Sequence, residues 1–151
     1  MGARRLVVIL LGGCLAVAVL VGGTVAGALA LRTKVRYGTV ADRSRPALTV
    51  RAGDRFTLTV PDRGPSVGDS WRAAVEPAGA AEARGSELVL SHPVERILGP
   101  AVGGGAGTRH FIFVAVRPGR LTVTVTNCFQ GCRDAETRAA STALLWTVTV
   151  T

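Results

Sequence analysis

The chain contains few of the residues that usually carry catalysis or bind metals. Its 151 residues include two His and three Cys, whereas a structural zinc site needs four ligands. His92 is followed by Pro93, and His110 adjoins a strand-like run, with no obvious catalytic Cys or Ser partner. An isolated imidazole catalyses little without an orienting group. We therefore expect no enzyme activity, no metal site and no cofactor.

Charge is missing from Leu6 to Leu31, a run of 26 residues bounded by basic residues on both sides. As a helix rising 1.5 Å per residue this run covers roughly 39 Å, against a hydrocarbon core of about 30 Å. We therefore expect a basic N-terminus over residues 1–5 and a transmembrane anchor over residues 6–31.

Two other interpretations of the apolar run stay open. A cleaved signal peptide could end at the small residues Ala28-Leu29-Ala30, although its apolar region is usually only about 7–15 residues long. A lipoprotein could use Leu11-Gly12-Gly13-Cys14, with Cys14 lipidated, although the residues after Cys14 stay apolar to Leu31. The length of the run favours the uncleaved anchor.

The net charge of +8 does not indicate a nucleic-acid partner. Five of the 18 basic residues flank the apolar run, and residues 38–151 carry 13 Arg against 10 Asp and Glu, a net charge of +3. Binding of single-stranded nucleic acid requires clustered basic residues interleaved with aromatic ones, whereas these Arg residues are scattered singly.

The orientation of the predicted helix is a separate question. The basic flanks nearly balance, so the positive-inside rule alone does not orient the helix. The Cys pair and the absence of Lys from residues 38–151 favour an extracytoplasmic domain.

Cys128 and Cys132 stand four residues apart in the run NCFQGC. Thiols oxidise outside the cytoplasm, and a C-x3-C pair in a loop brings its Cα atoms within disulfide range. We predict a disulfide between them.

The remaining chain has the apolar period of two that is typical of half-buried strands. Residues 32–46 are polar and lack this period, so they are interpreted as a tether, and residues 47–151 as one domain. Pro77 to Glu87 is interpreted as a loop. About seven short strands predict an all-β, immunoglobulin-like sandwich. The clearest alternating runs are Phe56–Val60, Phe111–Val116, Leu121–Thr126 and Leu145–Val150.

Three segments resemble the chagasin-like family of cysteine-peptidase inhibitors. The strongest is VGGGAGTRHFIFVAVRPGRLTVTV, which is similar to the Gly-rich loop and the two following strands of that family. GDRFTLTVPDRGPSVGDSW is similar to its first strand, first loop and Trp, and WTVTVT to its last strand. The resemblance implies an immunoglobulin-like sandwich that inserts three loops, grouped on one edge, into the cleft of papain-like peptidases.

Carried over by position, the resemblance assigns partner-binding residues in each loop. Two departures weaken the inhibitory signature: Asp69 stands where the family favours an aromatic residue, and residues 127–133 replace its Arg-Pro-Trp motif. Trp71 is either a loop contact or a core residue, and Phe129 is either an exposed anchor or packs locally. The candidate binding residues are Gly68, Asp69, Trp71, Gly103, Gly104, Gly105 and Phe129.

These departures lead to two functional hypotheses. The first is a membrane-anchored module that binds another extracytoplasmic protein without chemistry of its own. The alternative is a reversible inhibitor of papain-like cysteine peptidases that uses the same loops. The lost signature favours the first, and we expect inhibition of such peptidases to be weak or absent.

Overall fold

The computed structural model describes residues 31–100 and 105–151. The chain divides into two compact units, Met1–Arg36 and Tyr37–Thr151. In the first unit the described residues, 31–36, are helical. Within the described ranges no helix is both long enough and apolar enough to cross a membrane. The predicted span 6–31 lies outside those ranges except for Leu31, so the transmembrane helix stays a prediction.

The second unit is built from β-strands. Its described residues form eight strands in two four-stranded sheets, which confirms the all-β sandwich, with one strand more than the approximate number predicted. Two short α-helices and two single-turn 3-10 helices lie in the described connections. The elements are β1 (Thr39–Ala41), β2 (Ala47–Val50), β3 (Arg55–Asp62), β4 (Asp69–Glu76), β5 (Ala81–Leu90), α1 (Pro93–Leu98), β6 (Gly107–Ala115), β7 (Gly119–Phe129), α2 (Ala135–Ala139) and β8 (Thr142–Val150).

The two sheets have the orders β1-β3-β6-β5 and β2-β8-β7-β4. The short strands β1 and β2 run parallel to their neighbours β3 and β8, and all other pairs are antiparallel. Most strand pairs of the sandwich are therefore antiparallel, and connections such as the one from β3 to β4 cross from one sheet to the other.

Alternate residues of the central strands form the core, as the period of two predicts. The rings of Phe56 and Phe113 stack inside one sheet with their centroids 5.2 Å apart. Full burial of a side chain of this kind contributes about 1.5–3 kcal/mol to the free energy of folding. The most completely buried apolar side chains are Trp146, Phe56, Phe113, Leu58, Leu121, Val60, Val123, Val125 and Val148.

The segment Pro77 to Glu87, interpreted as a loop from the sequence, is largely strand. β5 begins at Ala81 and pairs with β6 along its length, with an irregularity between Ala83 and Gly85. It is an edge strand and most of its first half is exposed, so it has no buried face to impose an alternating pattern. Backbone hydrogen bonds to β6 form this strand, and composition gives no sign of them.

The predicted tether, residues 32–46, contains β1. Thr39 pairs with Phe56 in parallel register, and the Thr57 hydroxyl donates to the Tyr37 carbonyl at 2.7 Å. The compact unit therefore begins at Tyr37 rather than at residue 47. A strand of three residues is too short to show a period, so no alternating pattern marks it.

Three connections meet at one end of the sandwich. Asp62 at the end of β3 pairs with Gly107 at the start of β6, and Asp69 at the start of β4 pairs with Phe129 at the end of β7. Because residues 63–68 join β3 directly to β4, these four strand ends lie at the same end of the sandwich. The first connection is residues 63–68, the second is described over residues 91–100 and 105–106, and the third is residues 130–141. Together they form the end that we name the loop edge. Tyr37 lies at the opposite end, beside the start of β3.

Candidate functional site

The first connection contacts the other two through backbone. A Cβ atom built on Gly64 would lie 2.8 Å from the carbonyl carbon of Gly105, so only Gly permits this approach. The amide of Gln130 donates to the carbonyl of Gly68 at 2.8 Å. The predicted residues Gly68 and Gly105 thus lie where connections meet. Gly103 and Gly104 lie outside the described residues.

Asp69 is buried at the base of the loop edge, with its side chain 2% exposed. Its carboxylate accepts from Arg63 Nε at 3.0 Å and from Asn127 Nδ2 at 2.9 Å. These hydrogen bonds, that of Arg63 first, hold the pKa of Asp69 below its usual value. A buried carboxylate without partners would be costly, and here the partners are present. Asp69 braces the first connection and does not project from it.

A second buried carboxylate, Asp62, fixes the start of the same connection. Its side chain is 1% exposed and contacts Arg109 Nε at 2.6 Å. Its other oxygen accepts from the amide of Gly64 at 2.7 Å. The sequence pattern does not reveal this pair, because Asp62 follows Pro61 at a strand end and looks like an ordinary turn residue.

Phe129 is half-buried and lies beside Asp69 on the neighbouring strand. The guanidinium carbon of Arg63 stands 4.8 Å from the centre of the Phe129 ring, within the range of a cation–π contact. Arg63 therefore joins the buried Asp69 to the Phe129 ring. Phe129 both packs locally and keeps part of its surface available at the loop edge.

A disulfide between Cys128 and Cys132 closes the start of the third connection, with Cα atoms 5.3 Å apart, which supports the predicted pairing. The Ser141 hydroxyl lies 3.3 Å from the Cys132 sulfur, accepts from the Phe129 amide at 3.0 Å and donates to the Thr137 carbonyl at 2.8 Å. One hydroxyl thus links the disulfide, the aromatic residue and α2.

Replacing both Cys128 and Cys132 by Ser is expected to lower the free energy of unfolding by about 2 kcal/mol, because the five-residue ring no longer restricts the unfolded chain. Urea denaturation of the oxidised parent and the double variant measures the difference. Dithiothreitol should lower the parent to the stability of the variant and leave the variant unchanged. Equal midpoints for oxidised parent and variant would contradict the prediction.

The Arg63–Asp69 pair makes a second prediction. Replacing Arg63 by Met should raise the pKa of Asp69 toward its ordinary value, because the largest cause of its depression is removed. Since a carboxyl with a lowered folded-state pKa stabilises the fold above its unfolded pKa, the parent should exceed the variant in stability at neutral pH. That advantage should disappear as the pH falls through the folded-state pKa of Asp69.

NMR titration of the Asp69 carboxyl carbon in parent and Arg63→Met protein measures both midpoints. The control uses the Asp69→Asn background. There, Arg63→Met should not change how the free energy of unfolding depends on pH, because the carboxyl group that titrates is absent. Identical Asp69 midpoints in the two proteins would refute the assigned cause.

Trp71 faces the core from β4 and packs against it while staying partly exposed. Trp71 therefore lines the core near the start of β4. Its indole nitrogen is buried and has no acceptor among the described residues.

Helix α1 carries the most exposed apolar side chains in the described part of the loop edge, and none of them is among the residues predicted from the sequence. Val94, Ile97 and Leu98 are 53%, 83% and 80% exposed. Arg96, on the same helix, donates from Nε to the Leu90 carbonyl at 2.6 Å and so holds the helix to the end of β5. Apolar residues spaced i, i+3 and i+4 after the helix-starting Pro93 were the available signal.

The comparisons with known proteins concern the fold. No protein-family model and no curated protein sequence matches the chain. Amebosin, whose solution structure is known, is 15% identical, with a TM-score of 0.55 over 75% of this chain and 97% of its own. The crystal structure of the cysteine protease inhibitor EhICP2 from Entamoeba histolytica is 14% identical, with a TM-score of 0.56 over 75% of this chain and 95% of its own.

These matches support the chagasin-like resemblance found in the sequence, at the level of the fold. The chain therefore shares its fold with amebosin and with EhICP2.

Proposed function

We propose that this protein is a reversible inhibitor of papain-like cysteine peptidases that binds them through its loop edge. The observation that carries the proposal is the grouping of three connections at one end of a sandwich, two of them braced by ion pairs or by a disulfide. A fold shared with EhICP2 supports it. The inhibitor occupies the peptidase cleft and excludes substrate.

The first and third connections of the loop edge are held by side-chain contacts. The first connection is held at both ends by buried carboxylates, Asp62 and Asp69, each paired with an Arg. The third is closed by the disulfide and by the hydrogen bonds of Ser141. Loops that are already ordered lose less conformational entropy on binding, which leaves more of the contact energy as affinity.

The apolar surface that such a cleft requires comes from the second and third connections. Ile97 and Leu98 present most of their side-chain surface to solvent on α1. Phe129, at the start of the third connection, adds part of an aromatic ring to the same loop edge. These residues compensate for Asp69, which replaces the aromatic residue of the family, and for the missing Arg-Pro-Trp motif.

The predicted anchor over residues 6–31 would hold this domain outside the cell membrane, as a single-pass protein in the uncleaved form and as a secreted or lipid-anchored one in the alternatives. Tyr37, where the compact unit begins, lies at the end opposite the loop edge.

The non-inhibitory binding module remains the second candidate, because the third connection lacks the family motif and carries a polar, Arg133-containing loop in its place. The two functions differ in whether a bound peptidase loses activity. A module that binds outside the cleft would leave hydrolysis of a small substrate unchanged.

Recovery of papain after inhibition tests the mode of action. Papain saturated with the protein should regain full activity on dilution below the dissociation constant, and the protein should be recovered uncleaved and unmodified by mass spectrometry. Chain cleavage in step with recovery would identify a slow substrate instead. Failure to recover on dilution would indicate covalent trapping.

A further inference from the structure

A pocket of about 310 Å³ opens beside the loop edge. This volume is at the lower end of the range of small-ligand sites, about 300–1,000 Å³. Apolar groups from Pro61, Trp71 and Leu144 form part of its wall. Its polar groups come from Arg43, Arg63, Asp69, Asn127 and Thr142. The pocket thus combines an apolar surface with hydrogen-bond donors.

The pocket carries one uncompensated positive charge. Arg63 is neutralised by Asp69, whose carboxylate is also bound by Asn127. Arg43, from the connection between β1 and β2, forms no hydrogen bond or ion pair with any residue that the structure describes. A guanidinium with free donors, placed against apolar walls, favours a planar anion such as a carboxylate.

A second observation, independent of Arg43, also indicates a missing acceptor. The indole nitrogen of Trp71 is buried and has no acceptor in the described part of the chain. The other Trp of the protein, Trp146, donates from its indole nitrogen to the Asp42 carbonyl at 3.0 Å. Buried donors of this kind are normally satisfied, so Trp71, which lines the pocket, contains a donor without a partner among the described residues.

We propose that this pocket binds a carboxylate attached to a compact apolar group, such as the C-terminus of a peptide ending in an aliphatic residue or the corresponding free acid. The carboxylate lies against Arg43 and accepts from its guanidinium donors. The apolar group packs on Pro61 and Leu144. A single free Arg suits a monoanion better than a phosphate dianion. This site adjoins the loop edge and shares Arg63 with it, but ligand binding there does not depend on the proposed inhibition.

The experiment uses the full chain in detergent micelles with 15N-labelled Trp. Since the protein has two Trp residues, the spectrum contains two indole signals, and Trp71→Phe assigns them. Titration with N-acetyl-L-leucine up to about 10 mM, where millimolar affinities are measurable, should shift the Trp71 signal and leave that of Trp146 in place. Acetate and N-acetyl-L-leucinamide should bind at least about tenfold more weakly, since each lacks one half of the ligand.

Arg43→Gln should weaken binding of N-acetyl-L-leucine about tenfold. The matched control is Arg45→Gln, because Arg45 lies in the same connection, donates to the Val40 carbonyl and does not line the pocket. The tripeptide acetyl-Gly-Gly-Leu distinguishes the two sources: tighter binding than that of the free acid indicates a chain terminus, and weaker binding a small metabolite acid. Equal binding of acid and amide, equal affinity of Arg43→Gln, or no Trp71 shift would overturn the proposal.

Discussion

Replacing Ile97 and Leu98 together by Asp is expected to reduce affinity for a papain-like peptidase at least about 100-fold, or roughly 2.7 kcal/mol. These side chains are the most exposed large apolar residues in the described part of the loop edge, at 83% and 80%. An apolar anchor buried in a cleft carries much of the binding energy, and a carboxylate in its place would be desolvated without a partner. The same exposure means that the substitution should leave stability within about 0.5 kcal/mol.

The control for that experiment is Val116→Asp at the other end of the sandwich. Val116 is 47% exposed and follows β6 where it turns toward β7, away from the loop edge. Inhibition constants and melting temperatures are measured for all three proteins. Full inhibition by the Ile97/Leu98 variant, or equal loss in the Val116 variant, would remove α1 from the binding surface.

Replacing Trp146 by Ala is expected to lower the free energy of unfolding by about 3–5 kcal/mol, the usual cost of removing a large buried aromatic side chain. Trp146 is 1% exposed, and its indole donates to the Asp42 carbonyl at 3.0 Å. It therefore joins β8 to the connection between β1 and β2. The total free energy of unfolding of a typical domain is about 5–15 kcal/mol. The expected loss is therefore a large fraction of the stability of the domain.

The adjacent Leu145 provides a matched control, because it is 60% exposed on the outer face of the same strand. Leu145→Ala should change stability by no more than about 0.5 kcal/mol. Guanidinium denaturation followed by circular dichroism compares the two variants with the parent. A Trp146→Ala cost below about 1 kcal/mol would show that Trp146 does not pack in the core between the two sheets.

The core strands could be predicted because burial on one face imposes an alternating pattern. Phe111–Val116 and Leu121–Thr126 are recognisable for this reason, and β6 and β7 confirm them. The edge strand β5 and the three-residue β1 could not be found, since backbone pairing with a neighbour forms them. A single sequence contains no direct record of that pairing.

The candidate site could be predicted only in part, for a related reason. The positions of Gly68 and Phe129 followed from order along the chain and from the resemblance. The partners of Asp69 did not, because Arg63 lies six residues away in a turn and Asn127 on another strand. The exposed side chains of α1 were missed because a helix of six residues between strands shows less than two turns of period.

The central claim, that the loop edge inhibits papain-like cysteine peptidases, is tested most directly by titrating papain with the purified protein and following hydrolysis of a small fluorogenic substrate. We expect reversible, competitive inhibition with a dissociation constant below about 1 μM. Unchanged hydrolysis at tens of micromolar protein, with the fold verified by circular dichroism, would contradict the claim and leave the non-inhibitory binding module in its place.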